Sequence, residues 1–243
     1  MKTKFFTLLA GLLFAAAPAF ACGDSCTVKC NYSGDFKYWQ GLDIGVNGYF
    51  NKNTSIIETP SGYNFLELDY SRSRSFAWNI GQYNFHIVKN YVNVVTGIGL
   101  EWNSYALRNN VSLLPNSDSI SAISESIDFS KNKLKSTWIN APLMLEFNTS
   151  KNANNNFHIG AGVTFGYNIF QNRLKQEFSM NGDEQKRKVK DDFNINPFRY
   201  SATVRVGFGD FTLFANYGLS ELFKASRGPV VHPFSAGVSL AIN

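Results

Sequence analysis

The sequence predicts an all-β fold, an eight-stranded antiparallel up-and-down transmembrane β-barrel. Three observations carry that expectation. Apolar residues recur at every second position through segment after segment, which is the period of a strand and not of a helix. The links between these segments alternate long and short, as they do in a barrel with tight turns on one side of a bilayer and loops on the other. The two phases also differ in kind. In the six clearest segments the apolar phase carries no charge and no glycine, although 17% of the chain is charged, while the opposite phase is rich in Gly, Ser, Thr and Asn. A charge facing lipid costs about 2–4 kcal/mol at the bilayer midplane, and small residues suit the crowded inside of a narrow barrel. A soluble ligand-binding barrel would share the period but should place Lys and Glu on its outer phase.

The elements follow in order. Lys2 and Lys4, the apolar run Phe5–Ala17 and the small-x-small triplet Ala19-Phe20-Ala21 read as a cleaved export signal over residues 1–21. That run rises about 20 Å as a helix, too short for a hydrocarbon core of roughly 30 Å. Residues 22–37 form a periplasmic segment holding Cys22, Cys26 and Cys30. In an oxidising compartment one pair can bridge; if Cys22 is lipidated, Cys26 and Cys30 are left to pair.

The barrel occupies residues 38–243. Its first strand, Tyr38–Phe50, has Leu42, Ile44 and Val46 in phase. The second, Ser75–Val88, runs Phe76, Trp78, Ile80 and then Tyr83, Phe85, Ile87, a slip that predicts a bulge near Gly81. The third, Val92–Trp102, sets Val94, Ile98 and Leu100 against Gly97 and Gly99. The fourth, Ile139–Phe147, contains Pro142, which cannot donate to a ladder and marks a bulge or a weak seam. The fifth, Phe157–Ile169, alternates seven apolar residues with Gly, His, Thr and Asn. Phe198–Phe208, Phe211–Leu219 and Phe234–Ile242 complete the set by the same alternation. Lys89-Asn90 and Gly209-Asp210 suit two-residue hairpins. Asn181-Gly182 predicts that the fifth and sixth strands continue past the membrane as one protruding hairpin. Trp39, Trp78, Trp102, Tyr105, Tyr167, Tyr200 and Tyr217 lie near strand ends, where rings favour the headgroup zone.

With the strands placed, three stretches are distinctive: Ser136–Phe147 (STWINAPLMLEF), Phe157–Tyr167 (FHIGAGVTFGY) and Asn196–Gly207 (NPFRYSATVRVG). The last continues through Phe211–Tyr217, Leu222-Phe223, Gly228-Pro229 and Pro233-Phe234. On these residues the chain resembles the PorT-like outer-membrane β-barrel family of Bacteroidetes over most of residues 38–243. The resemblance implies the barrel and a link to protein secretion across the outer membrane, and it implies no functional residue. One departure is the end of the chain, Ala241-Ile242-Asn243, where outer-membrane barrels usually close on an aromatic residue.

By strand phase Asp43, Glu101, Glu146, Arg199 and Arg205 point into the lumen, with His86 and His158. Ionised groups inside so narrow a barrel must pair or meet water, so the expectation is a salt-bridge network that plugs it. The alternative is a gated passage for ions or small solutes in which Glu101 and Glu146 exchange Arg205 as a partner. No Gly-x-Ser-x-Gly, His-Glu-x-x-His or phosphate loop is present, so no catalytic residue, metal or cofactor is assigned. A lipid-modifying enzyme would have to use His86, His158 or His232. Binding would lie in the loops. Residues 107–133 carry Leu113, Leu114, Ile120, Ile123 and Ile127 among Ser and Asn. Residues 172–196 carry Lys186, Arg187, Lys188 and Lys190, a cluster suited to charge-assisted contacts with lipopolysaccharide. The partners expected are outer-membrane lipid and lipopolysaccharide, the barrel assembly machinery and secretion-system components. A net charge of only +5, dispersed along the chain, argues against nucleic acid.

Overall fold

The computed structural model describes residues 36–51, 60–150, 155–180 and 182–242. The export signal and Cys22, Cys26 and Cys30, with the bridge expected between the last two, lie outside the described residues. Twelve strands are present among the described residues. They are β1 (Gly41–Asn51), β2 (Arg74–Val88), β3 (Val92–Ala106), β4 (Val111–Leu113), β5 (Ala122–Ser124), β6 (Phe129–Asn148), β7 (Phe157–Asn168), β8 (Asn172–Met180), β9 (Asp183–Asp191), β10 (Phe198–Phe208), β11 (Phe211–Gly218) and β12 (Val231–Ala241).

Eight of them pair antiparallel in a closed circuit, β1-β2-β3-β6-β7-β10-β11-β12 and back to β1. Each ring strand lies beside its neighbours in the chain once the two inserted hairpins are set aside, which is up-and-down order. One inserted hairpin, β4–β5, is a separate two-stranded sheet. The other, β8–β9, adds to the outer half of β6 through pairs such as Leu134 with Leu174. This corrects the expected hairpin of continued fifth and sixth strands: β7 stops at Asn168, β10 begins at Phe198, and β8–β9 pairs with β6 instead. The turn falls where Asn181-Gly182 predicts it; Asn181 lies outside the described residues and Gly182 takes φ +89°.

The phase slip in β2 is a register shift between Asn79 and Gly81, after which the outward positions change from even to odd. Gly209-Asp210 makes the expected two-residue turn, with Phe208 opposite Phe211 and Gly209 at φ +55°. The β2–β3 turn is longer than expected. It takes three residues, because Val88 pairs with Val92 and Lys89 adopts φ 48°. Pro142 sits on the β3–β6 seam where the ladder is interrupted, between Leu143 opposite Thr96 and Asn140 opposite Gly99. The missing N–H accounts for a weak seam without any change of register.

The sidedness of the ring decides its solvent. Outward positions are apolar and exposed, for example Ile44, Trp78, Leu143, Phe165, Leu213 and Leu240, several of them about half exposed. Inward positions are polar and buried, for example Asp43, Asn79, Glu101, Asn140, Thr203 and Ser239. A water-soluble barrel has the opposite arrangement. Toward the long-loop end the pattern reverses on the same strands. Tyr49 of β1, Tyr105 of β3, Leu134 and Trp138 of β6 and Val231 of β12 turn inward into one apolar core with Leu113 of β4 and with Leu66, Phe193 and Phe223 from the connections. Opposite this core, the outward positions of β6 become Lys131, Lys133 and Lys135.

Candidate functional site

The lumen is crossed by two ion pairs that share one strand. Arg205 of β10 grips Asp43 of β1 bidentately, Nη1 to Oδ2 at 2.9 Å and Nη2 to Oδ1 at 3.0 Å. Ser239 accepts from the same guanidinium, and the Asn79 amide donates to Asp43 Oδ2 at 3.0 Å. Arg199, also on β10, donates to Glu101 of β3, which further accepts from Asn103 and Asn140. Its guanidinium lies 4.3 Å from the Trp138 ring centre, a cation–π contact at the floor of the apolar core. Gly166 leaves room for this crossing, because a Cβ there would stand 2.8 Å from Arg199 Nε.

All five of these charges lie on the inner side of the ring, and their partners are not those that the gated passage would need. Arg205 pairs with Asp43, Glu101 pairs with Arg199, and Glu146 is bonded by the Asn148 amide at 3.0 Å with no cation in ion-pair range among the described residues. The exchange of Arg205 between Glu101 and Glu146 has no geometric basis in these contacts. Among the described residues the lumen holds a cavity of about 40 Å³ lined by Trp39, Asp43, Arg205 and Phe234, with room for about three waters.

The short-turn end is closed by residues that the strand pattern assigned elsewhere. Phe36–Gln40 is irregular and reaches from Gln82 and Asn84 of β2 to His158 of β7 at this end of the ring. Gln82 Oε1 accepts from the Trp39 and Gln40 amides at 2.8 and 3.1 Å, and the Asn84 amide donates to the Phe36 carbonyl at 2.6 Å. Tyr38 stacks flat on His158 at 3.8 Å, and its hydroxyl accepts from Asn156 at 2.9 Å. Trp39 packs with Val95 and Met144 and fills the space that Gly97 leaves, where a Cβ would come within 2.7 Å of its ring. Trp39 and Tyr105 are thus 4% and 2% exposed and do not belong to the outer aromatic belt, whereas Trp78, Trp102 and Tyr200 do face outward. The missed signal was parity. Outward positions of β1 and β3 near these residues are even, and both residues are odd.

The three histidines sit on three different strands and each has its own partner. His86 is exposed and its Nδ1 lies 2.7 Å from the Asn93 side chain, His158 Nε2 meets Thr212, and His232 Nδ1 meets the Gly218 carbonyl. No cluster of three potential metal ligands occurs among the described residues.

At the long-loop end Leu113 and Ile120 enter the apolar core, while Leu114 and Ile123 stay exposed. The basic cluster of β9 is divided by strand alternation. Lys186, Lys188 and Lys190 face out. Arg187 faces in and clamps the hairpins together: Nε donates to Gln176 at 2.7 Å and Nη2 to Ser112 at 2.6 Å and Glu125 at 2.9 Å. The Ser112 hydroxyl, then Arg187, hold Glu125 below the usual carboxylate range. A depressed folded value stabilises above the usual glutamate value of about 4.3, and the effect is lost as pH falls through the folded value. Amide exchange in β4–β5 should therefore speed up below about pH 4 relative to β6–β7. The Glu125→Gln variant should show no such pH step; a step of equal size in that variant would disprove the role.

Among protein families, the outer membrane protein beta-barrel domain matches residues 33–224. Among solved structures, the chain is similar to Ail, the attachment invasion locus protein of Yersinia pestis, at 17% identity and a TM-score of 0.31, covering 83% of this chain and 98% of that one. No curated protein matches.

Proposed function

Because the chain belongs to the outer membrane protein beta-barrel domain family, we propose that it acts as a sealed, non-enzymatic envelope barrel whose eight-stranded transmembrane ring anchors an ordered, apolar-cored head outside the cell. The observation that carries this reading is the reversal of polarity along single strands. Apolar-out, polar-in positions suit a wall in lipid, and polar-out, apolar-in positions suit a head in water. The short turns and both described ends of the chain lie at one end of the ring, and bacterial barrels keep that end in the periplasm.

A gated passage has little support, because conduction needs a continuous wet path with charges free to exchange partners. Here both cross-lumen pairs are fixed by further hydrogen bonds, and both ends are covered. A PorT-like identity within Bacteroidetes and a link to secretion belong to the same proposal. In it the head would be the docking element for a secretion component, and the ring the substrate of the assembly machinery. Purified full chain in planar bilayers tests the sealed state. The expected result is no discrete conductance steps in concentrated potassium chloride, and sustained single-channel steps would overturn it.

A further inference from the structure

Above the apolar wall, the sheet formed by β6, β8 and β9 carries an outward face that no single stretch of sequence reveals. Its rows follow from the register. Phe76, Trp102 and Thr137 stand side by side at the upper edge of the wall. Two residues further along the strands, about 6.6 Å on, the next row reads Arg74, Ser104, Lys135, Arg173, Lys190. The row beyond reads Lys133, Lys175, Lys188, and the third reads Lys131, Glu177, Lys186.

Like charges directly opposite on neighbouring strands destabilise a sheet, so this ladder works against the fold unless something neutralises it. The fold supplies little. Lys131 pairs with Glu177 at 2.6 Å, while Lys135, Arg173, Lys175, Lys188 and Lys190 have no ion pair among the described residues. The mutual repulsion is visible at Lys188, which Arg173, with further contributions from Lys190 and Lys175, holds below the usual lysine range. The opposite face of the same strands, with Leu134 and Leu174, is committed to the apolar core, so the cations cannot turn inward.

We infer that this ladder is a binding site for the phosphate groups of the phosphorylated glycolipid in the outer leaflet. The inference rests on the membrane reading above and adds a ligand to it. Position selects this source over a soluble polyanion. Lys131, Lys133 and Lys135 share the outward phase of Ile139, Leu143 and Leu145 on the same strand, so the cations face sideways along the membrane plane, one row above the rings that mark the headgroup zone. Long Lys and Arg stems can lie along that wall while their heads reach phosphate, and Arg173 can bind it bidentately. The cluster apparent in sequence, Lys186 to Lys190, is the far strand of this site, and Arg187 is not part of it.

The test uses the full chain in zwitterionic detergent, titrated with bisphosphorylated lipid A and followed by native mass spectrometry. The row variants K135Q/R173Q/K190Q and K133Q/K175Q/K188Q should each bind about tenfold or more weakly. The charge-matched control K89Q/K224Q/R227Q should stay within about twofold. Dephosphorylated lipid A should bind the native chain and the row variants alike. Equal loss in the control, or unchanged binding in both row variants, overturns the site. So does a sulfated soluble glycan that competes fully while lipid A itself is not retained. Insertion into lipid vesicles, read as the heat-dependent gel shift of a folded barrel, is measured on every variant. Failure of the native chain to insert would sink the membrane reading, whereas insertion with unaltered lipid A binding would sink the phosphate site alone.

Discussion

Replacing Arg205 with Met should destabilise the inserted barrel by about 3–5 kcal/mol, measured as the shift of its urea unfolding midpoint in lipid vesicles. The cost comes from what is left behind. Asp43 is 8% exposed and Arg205 5%, so removing the guanidinium strands a carboxylate away from bulk solvent, with the Asn79 amide and at most a few lumen waters to bond it. The pair also ties β10 to β1 across the lumen, so its loss loosens two walls at once. The double variant D43L/R205M should recover most of the loss, because replacing both partners by apolar groups leaves no buried charge, and only the neutral Asn79 amide and Ser239 hydroxyl lose a partner. In contrast, Lys224→Met breaks an ion pair with Asp192 whose side chains are 32% and 58% exposed, and should cost no more than about 1 kcal/mol. Equal costs for R205M and K224M would mean that the lumen is wet and screened, and the sealed barrel would have to be given up.

The outer-wall strands were legible because one physical rule, no charge toward lipid, operates along their whole length. That rule also explains what was hidden. The outer half of β6, Phe129 to Trp138, keeps a period of two, but with Leu134 and Trp138 inside and lysines outside, so a search for apolar outward phases starts the strand at Ile139. The same inversion conceals β8, where Leu174 faces in between Arg173 and Lys175. Inward charges could be listed from parity, yet their partners could not. Pairing depends on which walls face each other across the ring, and Arg205 reaches past β11 and β12 to Asp43. The basic ladder was hidden for a related reason: residues from three strands, more than fifty positions apart in sequence at the extremes, become neighbours only through register.

The two closures of the lumen are independent, and that independence can be tested at Trp39. The side chain is 4% exposed and wedged between the floor of the ring and Val95 and Met144, so Trp39→Ala should cost about 3–5 kcal/mol as a large-to-small interior change. It should nevertheless give no ionic current. Water would enter from the short-turn end as far as the ion pairs, but Trp138, Tyr105, Tyr49 and Val231 still close the other end within the apolar core. Current should appear only when W39A is combined with deletion of the β4–β5 hairpin, which removes Val111 and Leu113 from that core. Steps from W39A alone would show that the head does not seal. Silence in the combined variant would place the barrier in the Asp43–Arg205 and Glu101–Arg199 crossings themselves.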